Sequence, residues 1–98
     1  MERLVIYLPS EPSRNRLETV VKATKRAAEK LALDVVGAYR KDDSSISIYY
    51  ENDAGEERWV YGDWENLRTE ETIYGLIMSL VPVFRYYGSL TQPLMTTK

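Results

Sequence analysis

The sequence contains no cysteine and no histidine. The absence of cysteine excludes disulfide bonds, thiolate catalysis and zinc sites built on cysteine. The absence of histidine removes the usual general base near neutral pH and the commonest ligand of transition metals. We therefore expect a protein that is not an enzyme, with no catalytic residue, no metal site and no small-molecule cofactor.

Apolar runs long enough to cross a membrane are also absent. The run from Leu4 to Leu8 is too short for a signal peptide, and the long apolar segment near the carboxyl terminus is interrupted by polar residues. We expect a soluble, cytoplasmic protein without a membrane partner. Glutamine occurs once and asparagine three times, a scarcity of thermolabile residues that favours a thermophilic source.

The length and composition are those of one small globular domain. The chain has 98 residues, of which 44% are hydrophobic and 29% charged, and this balance argues against disorder. We place the domain at residues 1–88 and an irregular carboxyl-terminal tail at residues 89–98. A domain of this size often gains stability from an oligomer interface.

The most apolar part of the chain runs from Thr69 to Gly88 and predicts a helix. Between Ile73 and Tyr87, eleven of fifteen residues are apolar or aromatic and one is charged, so this helix needs cover on more than one side. Thr69 is the expected N-cap, and Gly88 suits the residue after the helix end.

An earlier segment, from about Ser13 to Ala32, has the spacing of an amphipathic helix with one buried stripe. Before it, the run from Leu4 to Leu8 predicts a strand that is apolar on both faces and therefore interior to its sheet. A helix between two strands of one sheet predicts that they are parallel.

Three further strands are predicted at residues 34–40, 45–51 and 57–61, joined by turns at 41–44 and 52–55 as an antiparallel meander. Pairing across these turns places Tyr39 opposite Ile46 and Ile48 opposite Trp59. The core face then carries Val35, Tyr39, Ile46, Ile48, Tyr50, Trp59 and Tyr61. The opposite face carries Val36, Ala38, Arg40, Ser45, Ser47, Tyr49, Arg58 and Val60.

The predicted fold class is α+β. The element order β-α-β-β-β-α forms a two-layer sandwich, in which a mixed, mainly antiparallel four-stranded sheet has both helices on one face.

The positive charges are concentrated in the first half of the chain. Residues 1–41 have a net charge of +4 and residues 42–98 a net charge of −6. This asymmetry predicts binding of single-stranded DNA or RNA, chiefly through the first helix. The expected phosphate contacts are Arg14, Arg16, Lys22, Lys25, Arg26 and Lys30, and the expected second patch is Arg40, Tyr49 and Arg58. About four phosphate contacts on a single strand imply a log-log salt slope near −3. An ordinary solvated helix surface is the competing interpretation.

The second hypothesis is a homodimeric assembly or adaptor domain that associates through the apolar second helix. Its expected interface residues are Tyr74, Phe84, Tyr86 and Tyr87, because aromatic side chains are enriched at protein interfaces. Carboxylates also cluster around Asp63 and Glu70, but helix capping and turn formation account for them without a metal ion.

Overall fold

A computed structural model describes residues 1–40 and 45–96 of the chain, with side chains as far as residue 87. The elements are β1 (Arg3–Leu8), α1 (Arg14–Leu31), β2 (Asp34–Tyr39), β3 (Ile46–Glu51), β4 (Glu57–Asp63) and α2 (Glu70–Thr96). Their order and the four-stranded mixed sheet confirm the predicted α+β class. The turn predicted at residues 41–44 lies outside the described residues.

The strands are arranged in the order β2-β1-β3-β4, with β1 parallel to β2 and antiparallel to β3. The interior position of β1 and its parallel partner are confirmed. The continuous meander is wrong, because β1 lies between β2 and β3, and Tyr39 pairs with Leu8 instead of Ile46. Three consecutive residues of β1 are buried, which is typical of a strand in the interior of a sheet.

One hydrophobic core joins the sheet to both helices. Alternate residues of the central strands enter it, as expected from the period of two in a β-strand. The core includes Leu4, Ile6, Ile48, Val20, Ala27, Ile73 and Ile77. The helices also contact one another, and the small Ala23 and Ala27 of α1 are completely buried.

Helix α2 begins where the sequence predicts. The Oγ1 of Thr69 accepts a hydrogen bond of 3.2 Å from the amide of Thr72, and Glu70 and Glu71 lie in the first turn, where carboxylates favour the positive end of the helix. Neither helix is long and apolar enough, within the described residues, to cross a membrane.

The end of α2 differs from the prediction. The helix continues past Gly88 to Thr96, so the irregular structure expected for residues 89–96 is wrong. Glycine inside a helix costs only about 1 kcal/mol relative to alanine. A glycine therefore allows a helix to end at that position but does not require it to end there.

The charged residue in the apolar part of α2 links three elements. Arg85 donates a hydrogen bond of 2.7 Å to Glu2 and one of 3.3 Å to the carbonyl oxygen of Leu31, at the end of α1. Tyr50 also donates its hydroxyl to Glu2. Burial, together with this bond to Glu2, raises the pKa of Tyr50 to about 12. Arg85 therefore joins α2 to Glu2 and to the end of α1 through hydrogen bonds within the fold.

Candidate functional site

A β-bulge in β4 changes which side chains share a face of the sheet. Ile48 pairs with Tyr61, but the next residue, Tyr49, pairs with Trp59, so Val60 is an extra residue between them. Val60 and Tyr61 are both buried, and Trp59 lies on the same face as Tyr49. The predicted pairing of Ile48 with Trp59 is therefore wrong, as is the core position of Trp59, which is 48% exposed.

Four aromatic side chains lie on this face in two contacting pairs, and we call them the aromatic row: Tyr7, Tyr49, Trp59 and Trp64. Tyr7 and Tyr49 lie on the central strands and make an edge-to-face contact, with ring centroids 5.3 Å apart. The two indole rings have centroids 6.0 Å apart and planes inclined by 33°. The row crosses β1, β3 and β4 and ends in the loop before α2.

Trp64 reaches this face because its neighbour in β4 has no side chain. Gly62 pairs with Ser47, which in turn pairs with Tyr7, so a side chain at position 62 would lie on the face of the aromatic row. A Cβ atom there would come within 1.7 Å of the Trp64 indole. The indole therefore covers the backbone of Gly62, and it remains 57% exposed.

Arg40 brings a positive charge to the aromatic row. Its guanidinium carbon lies 3.7 Å from the ring centroid of Tyr7 and 5.2 Å from that of Tyr49. Glu57 is 3.7 Å from the same guanidinium and also accepts the hydroxyl of Tyr7. Burial and this bond to Glu57 raise the pKa of Tyr7. The prediction that Arg40 and Tyr49 lie on one face is confirmed.

A buried ion pair fixes the loop that carries Trp64. Arg16 donates hydrogen bonds of 3.0 and 2.6 Å to the two carboxylate oxygens of Asp63, and one of 2.7 Å to the carbonyl oxygen of Arg68. Tyr61 donates its hydroxyl to Asp63 and accepts the amide of Arg68. Both ends of the segment 63–68 are therefore held.

Burial and the hydrogen bonds among Arg16, Tyr61 and Asp63 shift the pKa values of all three side chains. Burial by itself would raise the pKa of Asp63, but the hydrogen bonds from Arg16 and Tyr61 leave it lowered. Burial and the bond to Asp63 raise the pKa of Tyr61, and the bond to Asp63 also raises the pKa of Arg16. Arg16, predicted as a phosphate contact, is thus engaged in holding a loop.

The other predicted basic residues are divided between two environments. Arg26 donates hydrogen bonds of 2.9 and 2.7 Å to Glu70 and Glu71 in the first turn of α2, and its guanidinium lies 4.3 Å from the ring centroid of Tyr74. The remaining cations of α1 are exposed, namely Arg14, Lys22, Lys25 and Lys30. Arg58 pairs with Tyr50, so its predicted place beside Tyr49 is wrong because of the bulge.

Two of the predicted interface residues are partly buried and the other two are exposed. Tyr74 is half-buried beneath Arg26, and Phe84 stacks on Tyr50 with ring centroids 6.4 Å apart. Tyr86 and Tyr87 are exposed on α2 and contact one another edge to face. The described residues contain no group of three or more acidic side chains placed to hold a metal ion.

Trp59 was not predicted as a member of the aromatic row because the sequence does not reveal the bulge. Trp59 and Tyr61 are two residues apart, and regular alternation assigns them to one face. The position of Tyr7 could have been predicted from the sequence. Side chains alternate between the two faces of a strand, so Tyr7 lies on the face opposite to Leu4 and Ile6.

The chain was compared with protein-family models, curated proteins and solved structures, and none of the three comparisons gives a match.

Proposed function

We propose that this protein binds single-stranded nucleic acid on the aromatic row, where bases stack on the rings and Arg40 contacts a phosphate. The observation that carries the proposal is the gathering of four aromatic rings and a guanidinium on one face of the sheet. Sheets that recognise RNA commonly present two or three such rings.

The exposure of the two tryptophans in the row suits unpaired bases. Trp59 and Trp64 expose about half of their surface, which is more than core packing requires of side chains this large. Every base has a face that can stack on an aromatic ring, and stacking of this kind tolerates many sequences. Bases in a duplex are already stacked on each other, so the row is suited to single strands.

The charges around the row imply a modest electrostatic contribution. Arg3 is hydrogen-bonded to Glu51 at 3.2 Å, and Arg40 lies near Glu57. A phosphate at Arg40 therefore has to compete with Glu57. Because one or two cations contribute, we expect a log-log salt slope near −1 rather than the −3 of a basic helix.

This slope separates the proposal from binding through α1. The exposed cations Lys22, Lys25 and Lys30 remain a hypothetical phosphate surface on that helix. Binding there would be lost with Lys22→Glu/Lys25→Glu and would not depend on Trp59.

The replacement Trp59→Leu should weaken binding of a fluorescein-labelled oligouridine by about 1–3 kcal/mol, because leucine preserves apolar cover but removes the stacking ring. Fluorescence anisotropy at two salt concentrations measures the affinity and the slope. Tyr39→Leu is the matched control, since Tyr39 is 78% exposed on the same sheet but pairs with Leu8 on the core side.

Equal weakening by both replacements would mean that the sheet is perturbed in general, and equal affinity of all three proteins would rule out the aromatic row as the binding surface.

A second candidate function is homodimeric assembly through α2. The observation that favours it is the exposure of Val83, Tyr86 and Tyr87 on a helix that continues to Thr96. Between residues 72 and 96 Arg85 is the one charged residue, and it contacts Glu2. Two copies of this surface can therefore meet without like-charge repulsion, as a two-fold interface requires.

For this second candidate, light scattering after gel filtration should give twice the 11.4 kDa mass of the chain at micromolar concentration. Tyr86→Glu/Tyr87→Glu should restore the monomer, because two carboxylates of one copy would then face two of the other across the interface. Tyr39→Glu is the control. A wild-type monomer at that concentration would exclude assembly through α2.

A further inference from the structure

A pocket of about 260 Å³ lies at the free edge of β4, between the end of the aromatic row and helix α2. Its walls include Trp59, Gly62 and Trp64 on the strand side and Leu76 and Leu80 on the helix side. The volume is smaller than the roughly 300–1,000 Å³ of sites that hold drug-sized ligands. It therefore suits one flat ring system.

The pocket combines flat apolar walls with a polar rim. Glu65, Asn66 and Arg68 line it from the loop before α2, and no hydrogen bond from their side chains to another described residue is found. Together they offer a carboxylate acceptor, an amide that donates and accepts, and a guanidinium donor. The edge of a nucleobase presents donors and acceptors of the same kinds.

A planar ring can stack between the two indole rings if the Trp64 side chain moves. Their centroids are 6.0 Å apart, and a planar ring between them needs two contact distances, or about 7 Å. Trp64 therefore has to move outward by about 1 Å and to turn until its plane is parallel to that of Trp59, since the two planes are inclined by 33°. Its side chain is more than half exposed, so this movement breaks little packing.

The backbone beneath Trp64 is held in place. The Arg16–Asp63 pair and the bonds to Arg68 fix both ends of the loop, while the side chains of residues 64–67 are exposed. A loop that is rigid in its backbone and presents an exposed indole loses little freedom when a ligand binds.

We infer that this pocket takes a single nucleobase, held between the two tryptophans with its polar edge toward Asn66 and Arg68. The inference rests on the proposed function in one respect: in a bound strand, this base follows one that is stacked on Tyr49. A free nucleoside monophosphate offers the same chemistry.

Gly62 provides a selective test, because adding one methyl group there removes no aromatic ring. Gly62→Ala places Cβ where the Trp64 indole lies, so the indole must leave the pocket wall. Gly75→Ala in α2 is the matched control, since a Cβ at Gly75 meets no atom within 4 Å. Trp64→Leu provides a second way to remove the same wall, with folding of each variant checked by circular dichroism.

The experiment measures anisotropy of labelled oligouridine and oligoadenosine, and records the indole NMR signals during titration with adenosine and uridine monophosphates. We expect Gly62→Ala and Trp64→Leu to weaken oligonucleotide binding about 10-fold or more, with Gly75→Ala unchanged. We also expect a monophosphate to shift the Trp64 signal in the wild type and not to shift it in Gly62→Ala.

The outcomes separate the two proposals. If Gly62→Ala and Trp64→Leu bind the oligonucleotide as the wild type does while Trp59→Leu is weakened, the pocket is overturned and the aromatic row stands. If no oligonucleotide binds but a monophosphate shifts the NMR signal of Trp64 in the wild type alone, the nucleobase pocket is supported and the binding of single strands is overturned. If neither ligand binds, both proposals fall.

Discussion

Asp63→Asn should lower the free energy of unfolding by about 3–5 kcal/mol, the cost of leaving one member of a buried ion pair without its partner. The Asp63 side chain is 2% exposed, and Arg16 approaches it to 2.6 Å. Asparagine keeps the shape but loses the charge and turns an amide donor toward the guanidinium. Urea unfolding followed by circular dichroism measures the difference.

Asp53→Asn is the control for this experiment, because Asp53 pairs with the terminal amine in an exposed position and such pairs contribute less than about 1 kcal/mol. A loss at Asp63 no larger than the loss at Asp53 would show that the ion pair does not hold the loop.

The stabilising effect of Asp63 should depend on pH in a defined direction. Burial opposes ionisation, but the bonds from Arg16 and Tyr61 lower the pKa of Asp63 below its ordinary value, which is about 3.9. A carboxyl with a lowered pKa in the folded state contributes stability above its unfolded pKa and loses it as the pH falls through the folded value. The difference between wild type and Asp63→Asn should therefore be constant above about pH 5 and shrink below about pH 4.

The double variant Tyr49→Leu/Trp59→Leu should lose about 2–6 kcal/mol of oligonucleotide binding energy, since each stacked ring contributes about 1–3 kcal/mol. The two residues are direct partners across β3 and β4, so successive bases of one strand can stack on them. Anisotropy titration of wild type, both single variants and the double variant completes a thermodynamic cycle.

Additive losses in this cycle would mean that the rings hold separate bases, and a coupling term would mean that they share one. A double variant no weaker than Trp59→Leu alone would remove Tyr49 from the site. The unfolding free energy of every variant is measured in parallel, because Tyr49 is half-buried.

Local patterns in the sequence predicted the elements of this fold well. The apolar stripe of α1 contains Val20, Thr24 and Ala27, and all three are buried. The turn at residues 52–55 forms as its composition predicts, with Gly55 at a φ of 83° and the amide of Gly55 donating to the carbonyl oxygen of Asn52. These features depend on residues near one another in the chain.

The features that were missed depend on contacts between distant parts of the chain. The apolar pattern of β1 predicted an interior strand, but its place between β2 and β3 depends on pairing with distant residues. At the bulge, Val60 and Tyr61 are both buried, which regular alternation does not predict. The ion pair of Arg16 with Asp63 joins residues 47 positions apart. Since a charge pattern does not reveal such partners, part of the apparent basic surface of α1 belongs to internal contacts.

Contacts between distant residues also decide which side chains form the candidate site. The sequence placed one aromatic residue, Tyr49, beside Arg40, and the structure adds Tyr7, Trp59 and Trp64. A single residue of extra length in β4 decides the face on which Trp59 lies.

Photochemical cross-linking of a bromouridine-substituted oligonucleotide to the protein, followed by mass spectrometry of the linked peptides, tests the aromatic row most directly. We expect cross-links to Tyr49, Trp59 or Trp64, and we expect excess unlabelled single strand to compete better than duplex. Cross-links confined to α1 around Lys22 and Lys25, or no cross-link in low salt, would contradict binding on the aromatic row.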